Sequence, residues 1–314
     1  MEVKDIFIAP IYIILLSLLA YLARPMVTNA KTRKYFLPGL WAKMLGAVAV
    51  GMIYQFYYDG GDTFNYFTNG SRWIWEAFLA DPVSGFKLLM ESGGSRHMDT
   101  FAYSQHIWYY RDPNSYFVVR LTAFFDLFTF HTYAATALLF ASFSFSGMWA
   151  FFMALVNRYP AHVKWIAVAV LFIPSTLFWG SGIMKDTLTL GALGWLTFGM
   201  IKIIEEKKRT FFYWIVVTLS IGLIYEIKPY ILICYLPLIF VWLYWKNILT
   251  IRNKVTRVFI APVLLALFGF MAYGVMKQIS GETQKYSLEN IAEQAMITSY
   301  DIRYGWGARM GGDG

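Results

Sequence analysis

The sequence predicts an all-α polytopic membrane protein of about eight transmembrane helices, with a large first extracytoplasmic loop that carries interfacial helices. Two observations lead there. The 314 residues are 58% hydrophobic and 19% aromatic, with a mean hydropathy of +0.48, against roughly 45–50% apolar in globular chains. Apolar runs long enough for a helix to cross a hydrocarbon core of about 30 Å also recur along the chain. A transmembrane β-barrel would need alternating segments with polar inward positions, and runs such as Ile11 to Ala20 or Ile231 to Phe240 do not alternate.

Hydropathy and loop charge place spans at about residues 6–23, 37–57, 133–156, 165–181, 187–204, 211–227, 229–245 and 258–276. The first follows Met-Glu-Val-Lys-Asp, without a basic leader region or a small-residue cleavage site, and reads as a retained span. Tyr116 to Phe130 is short and carries Arg120 and Asp126. If it crosses, every later loop changes side; if it stays at the interface or re-enters, the basic loops share one face. The positive-inside rule selects the second arrangement. The cytoplasm then receives Arg24, Lys31, Arg33 and Lys34, then Arg158 and Lys164, Lys202 with Lys207 to Arg209, and Lys246 to Arg257. Both termini face outward.

The loop 58–115 is rich in Trp, Tyr and Phe. Trp73, Trp75, Phe78 and Leu79 interleave with Arg72 and Glu76, and apolar character resumes at Phe86 to Met90 after Asp81-Pro82. Two short interfacial helices are expected there, their rings at headgroup depth. Residues 1–276, this loop included, form one transmembrane domain, and 277–314 form a polar extracytoplasmic tail. The glycine-rich finish of that tail suits an active-site loop cut short or a disordered end. The net charge of +8 is spread over short loops, so it orients the protein in a membrane and does not mark a nucleic-acid partner. The single cysteine, Cys234, allows no disulfide within the chain. Gly46, Gly51, Gly191, Gly194 and Gly199 suit close helix approach.

Ionisable groups at membrane depth cost at least about 2.5–3.5 kcal/mol each and tend to be used or paired. Four sites stand out: Asp59 and Asp62 in Tyr57-Tyr58-Asp59-Gly60-Gly61-Asp62; Arg120; Lys185 with Asp186; and Glu226 with Lys228. On the chosen topology all four meet on the outer face. His97, His106 and Asp99 lack zinc-ligand spacing, and Asn69-Gly70-Ser71 matches a glycosylation triplet that is common by chance.

Gly61-Asp62-Thr63-Phe64-Asn65-Tyr66, at the end of a span, resembles the first-loop acidic motif of the GT-C glycosyltransferases, which include protein O-mannosyltransferases and the lipid A aminoarabinose transferase. Arg120-Leu121-Thr122-Ala123 is similar to that family's Arg-Leu-x-Ala stretch, and Pro174 through Asp186 to its Pro, aromatic, small-residue and Asp sequence at an outer helix turn. The resemblance covers about residues 37–205 and implies transfer of a sugar from a polyprenyl phosphate donor, at the outer face of a bacterial cytoplasmic membrane, to a lipid, glycan or protein acceptor. It implies Asp62 as the base, with Asp59 raising its pKa or helping to bind a divalent cation, and Asp186 orienting Lys185 or sugar hydroxyls. Arg120, Lys185 and Tyr66 would serve the lipid phosphate or the donor. Trp73, Trp75, Trp108, Tyr109 and Tyr110 would stack on sugar faces.

Structural readings stand beside these. Asp-Gly-Gly-Asp is ordinary turn chemistry, Arg120 can snorkel or pair with Asp126, and Lys185 with Asp186 can be an ion pair opening a helix. A polysaccharide polymerase, a transporter or flippase, and a noncatalytic assembly subunit are the alternative functions.

Overall fold

The computed structural model describes residues 2–208 and 210–250, without the side chains of 246–249, and scattered positions between 259 and 296. All regular structure among the described residues is helical. The chain divides into two units, Met1–Leu232 and Ile233–Gly314. The expected span at 258–276 and the boundary at 276/277 fall largely or wholly outside the described residues.

The first unit opens with α1 (Val3–Val27) and α2 (Arg33–Phe56). The loop that follows is itself helical: α3 (Asp62–Tyr66), a π-helical segment Phe67–Ser71, α4 (Arg72–Ala80), α5 (Pro82–Met90) and the single turn α6 (Phe101–Ser104). Then come α7 (Pro113–Thr129), α8 (Tyr133–Arg158), α9 (Val163–Leu171), α10 (Pro174–Trp179), α11 (Lys185–Met200) with a π-helical continuation Ile201–Glu205, and α12 (Phe211–Ile227). The helix α13 (Pro229–Leu249) begins in the first unit and passes into the second.

Among the described residues, four helices are long and apolar enough to cross a membrane: Val3–Val27, Arg33–Phe56, Tyr133–Arg158 and Lys185–Glu205. Pro160–Leu171, Phe211–Ile227 and Pro229–Trp245 are shorter apolar helices. The expected span 165–181 is two pieces because Pro174 has no N–H to donate and forces Ile173 into an extended conformation, at φ −70° and ψ 123°. The 17-residue α7 is not exposed as a lone crossing helix would be. Val118, Val119, Thr122, Ala123 and Asp126 bury one of its faces against the loop helices and α8.

Helices α8 and α11 form the main contact of the unit, flanked by α2 and α12. Glycine permits the approach: a Cβ on Gly147 would lie 1.9 Å from Gly191 O, and one on Gly194 would lie 2.2 Å from Gly147 O. Gly46 presses on α10 in the same manner, with Leu177 O at 2.1 Å from its virtual Cβ. Gly147→Leu is expected to force α8 and α11 apart and to cost about 1–3 kcal/mol or more, since the clash is with backbone. An unchanged thermal denaturation midpoint in detergent would show that the two helices do not meet there.

The polar contacts between helices fall at two chemically distinct ends of the unit. At one, Arg24 donates to Arg33 O, Trp149 Nε1 to Val27 O, and Arg158 pairs with Glu205. At the other, Asp5 accepts from Ala134 N at 2.7 Å, Thr63 and Tyr133 share a hydrogen bond of 2.6 Å, and Asn114 donates to Glu226 O at 2.6 Å. The loop helices and the starts of α1, α8 and α11 all belong to this second end.

Candidate functional site

The turn before α3 is built by Asp59, Gly60 and Gly61, with φ of 52°, 126° and 117°. That left-handed run suits glycine and, at some cost, aspartate. Gly60 N donates to Tyr54 O at 2.8 Å, and a Cβ on Gly61 would sit 2.8 Å from the Tyr54 ring, so the turn folds tightly over the end of α2. It delivers Asp62 as the first residue of α3, exposed, where the free N–H groups favour a carboxylate. Asp59 stays exposed in the turn.

Asp62 Oδ1 accepts from the Tyr109 hydroxyl at 3.0 Å. Burial, and then the Asp62 carboxylate, push the Tyr109 hydroxyl up to about 12, so it remains a donor at physiological pH. Tyr66 is buried beneath it, ring centroids 4.9 Å apart, and burial followed by Tyr109 and Asp62 raises its hydroxyl above the ordinary tyrosine range. Asp112, which precedes α7, lies within electrostatic reach of both tyrosines and faces Lys185 at 3.7 Å. Asp186 accepts from Lys228 Nζ at 2.6 Å. Tyr54 lies within electrostatic reach of Asp62 and Asp186 alike, which joins the two halves of the cluster.

Asp62, Tyr66, Lys185 and Asp186 are therefore neighbours, contributed by α3 and the start of α11. Arg120 is engaged elsewhere: Nη1 donates to Leu89 O at 3.3 Å, and the guanidinium lies over the Tyr116 and Phe117 rings at 5.7 and 5.4 Å. Of the expected stacking rings, Tyr109 is at the cluster and Trp108 is exposed beside it. Trp73 stacks on His106, with centroids 4.4 Å apart. Tyr110 is packed inside, its hydroxyl donating to Glu91. No group of three or more His, Cys, Asp or Glu side chains able to hold a metal occurs among the described residues.

Three features were not anticipated. Asp112 joins the cluster beside the expected Lys228, and the signal for Asp112 was its place before Pro113, a helix start. Lys43, fully buried in the middle of α2, donates to Thr176 O at 3.0 Å and Gly180 O at 2.6 Å, capping the carbonyl end of α10. Asp126 is fully buried and accepts from Ser71 at 2.6 Å, Thr136 at 2.8 Å and His131 Nδ1 at 2.8 Å, while the His131 ring stacks on Phe67 with centroids 4.1 Å apart. The same bond from Ser71 ties the Asn69-Gly70-Ser71 triplet, which lies within the π-helical segment, to α7.

Two carboxylate–lysine pairs beside a carboxylate that a neutral tyrosine holds in place can accept a proton and stabilise an anionic leaving group. Comparison with family models, curated proteins and solved structures finds no match to this chain.

Proposed function

We propose that this chain is a bacterial multi-pass membrane glycosyltransferase, taking a sugar from a polyprenyl phosphate donor at the outer face of the cytoplasmic membrane. The observation that carries the reading is the gathering of Asp62, Asp112, Lys185, Asp186 and Lys228 around Tyr54, Tyr66 and Tyr109 at one end of a membrane-type bundle. In the proposed reaction Asp62 takes the proton of the acceptor hydroxyl as the acceptor oxygen bonds to the anomeric carbon. The bond from that carbon to the phosphate oxygen breaks, and the electron pair leaves with the polyprenyl phosphate. Tyr109 holds Asp62 Oδ1, so the other oxygen is offered to the acceptor.

Lys185 and Lys228, now facing Asp112 and Asp186, would turn to the phosphate as its charge grows. In this reading Lys228 takes the place that Arg120 was expected to fill. A transporter would set its substrate ligands near mid-depth on broken helices. The carbonyl end of the short helix α10, which follows the proline break, is instead occupied by Lys43, whose Nζ is held by Thr176 O and Gly180 O.

The decisive experiment supplies purified protein in nanodiscs with a panel of polyprenyl-phosphate hexoses and pentoses and measures polyprenyl phosphate release with acceptor glycans present. Release by the wild type supports the proposal, and none from any donor overturns it. Lys228→Gln is expected to lower kcat/KM for the donor by about tenfold to a hundredfold, the loss of one charge-assisted contact. Initial rates against donor concentration measure it.

A further inference from the structure

A line of polar side chains leads away from Asp62 along the loop. Its Oδ1 meets the Tyr109 hydroxyl, which also lies 3.4 Å from Asn65 Nδ2. Asn65 Oδ1 accepts from Asn69 Nδ2 at 3.1 Å, and Asn69 O accepts from Trp108 N at 3.1 Å. The line ends at the Trp108 indole, 62% exposed. Asn65 and Asn69 are one turn apart where α3 runs into the π-helical segment, and both are half-buried.

We propose that this ledge, formed by Asn65, Asn69 and Trp108 beside Asp62, is a subsite for one pyranose ring. An amide offers two N–H donors and a carbonyl oxygen with two lone pairs. The bonds within the ledge occupy one N–H of each amide and one lone pair of Asn65. Each asparagine thus presents a donor and an acceptor side by side, the complement of a sugar hydroxyl, which both gives and takes a hydrogen bond. A solvent-facing indole supplies an apolar face for the C–H side of the same ring. The π-helical segment is held from behind, by Ser71 on Asp126 and Phe67 on His131. The amides are therefore presented by rigid backbone, which lowers the ordering cost of binding.

The inference rests on the transfer reading for what the bound sugar does, but not for its binding. The test uses full-length protein in nanodiscs and saturation-transfer NMR with methyl pyranosides of glucose, galactose, mannose, rhamnose and N-acetylglucosamine. At least one is expected to bind saturably at millimolar concentration. Asn69→Ala and Trp108→Leu should each weaken that binding about fivefold or more, the worth of one hydrogen bond or one stacked ring. Trp108 lies at the surface, so Trp108→Leu keeps the test open if Asn69→Ala fails to fold. Asp62→Asn should bind as the wild type does. Binding that persists in Asp62→Asn with unchanged transfer would sink the catalytic role of Asp62 and leave the subsite standing. No binding by any of the five sugars, or binding indifferent to both ledge variants, overturns the subsite. Brominated-lipid quenching of tryptophan emission that is weaker in Trp108→Leu than in the wild type, and unchanged by bound sugar, also overturns it, because the indole would then be a membrane anchor.

Discussion

Asp62→Asn is expected to reduce the rate of sugar transfer by about 10²–10⁴, the usual worth of a positioned general base. Asparagine has nearly the same volume, and its carbonyl can still accept from Tyr109, so the geometry that sets Oδ1 at 3.0 Å from that hydroxyl survives. What is lost is the oxygen that takes the acceptor's proton. The loss should fall on kcat with little change in the donor KM, because the donor phosphate faces lysines in the proposed mechanism. Single-turnover transfer by the two proteins at saturating donor measures it. A variant that transfers at the wild-type rate would move the base elsewhere in the cluster, Asp186 and Asp112 being the remaining carboxylates.

The second large effect concerns folding. Asp126→Ala removes the acceptor shared by Ser71, Thr136 and His131, all three against a fully buried carboxylate. Three polar groups would lose that shared partner inside a packed core, and the cost is expected to be about 3–5 kcal/mol. Asp126→Asn keeps an acceptor and should cost less, about 1–3 kcal/mol. The denaturation midpoint in detergent should fall in the order wild type, Asp126→Asn, Asp126→Ala. An alanine variant as stable as the wild type would show that the joint between α7, α8 and the π-helical segment is held by apolar packing alone.

Helix identity was legible because lipid-facing and core-facing positions are both apolar, and run length alone then marks α1, α2, α8 and α11. The start of α5 was legible too: Asp81 accepts from Val83 N and Ser84 N ahead of Pro82, the cap that Asp-Pro announces. The interruption at Ile173-Pro174 was written in the sequence but outweighed by the hydropathy around it. Asp62, Lys185 and Asp186 lie at successive turns at one end of the helical unit, where charges have little room to separate.

Contacts fixed by rotation about a helix axis were not legible. Asn114 and Arg120 both lie on α7, yet one meets Glu226 O and the other Leu89 O. Nothing short of the packing of α7 decides which faces the cluster. The Asp126 network joins Ser71 and Thr136 across distant segments, and Asp126 read alone looked like a partner for Arg120. Lys43 stood in plain view within an apolar run, but its two acceptors are backbone carbonyls, which carry no side-chain signature.

That lysine also sets an order of events for biogenesis. Gly180 is 137 residues downstream of Lys43, so at about 5–20 residues per second the second helix leaves the ribosome on the order of ten seconds before its ammonium meets that carbonyl. Through that interval an unmatched cation at mid-helix opposes release into lipid by about 2.5–3.5 kcal/mol. The helix is accordingly expected to linger at the insertion machinery until the proline-broken hairpin arrives, which makes α2, α9 and α10 one unit of insertion.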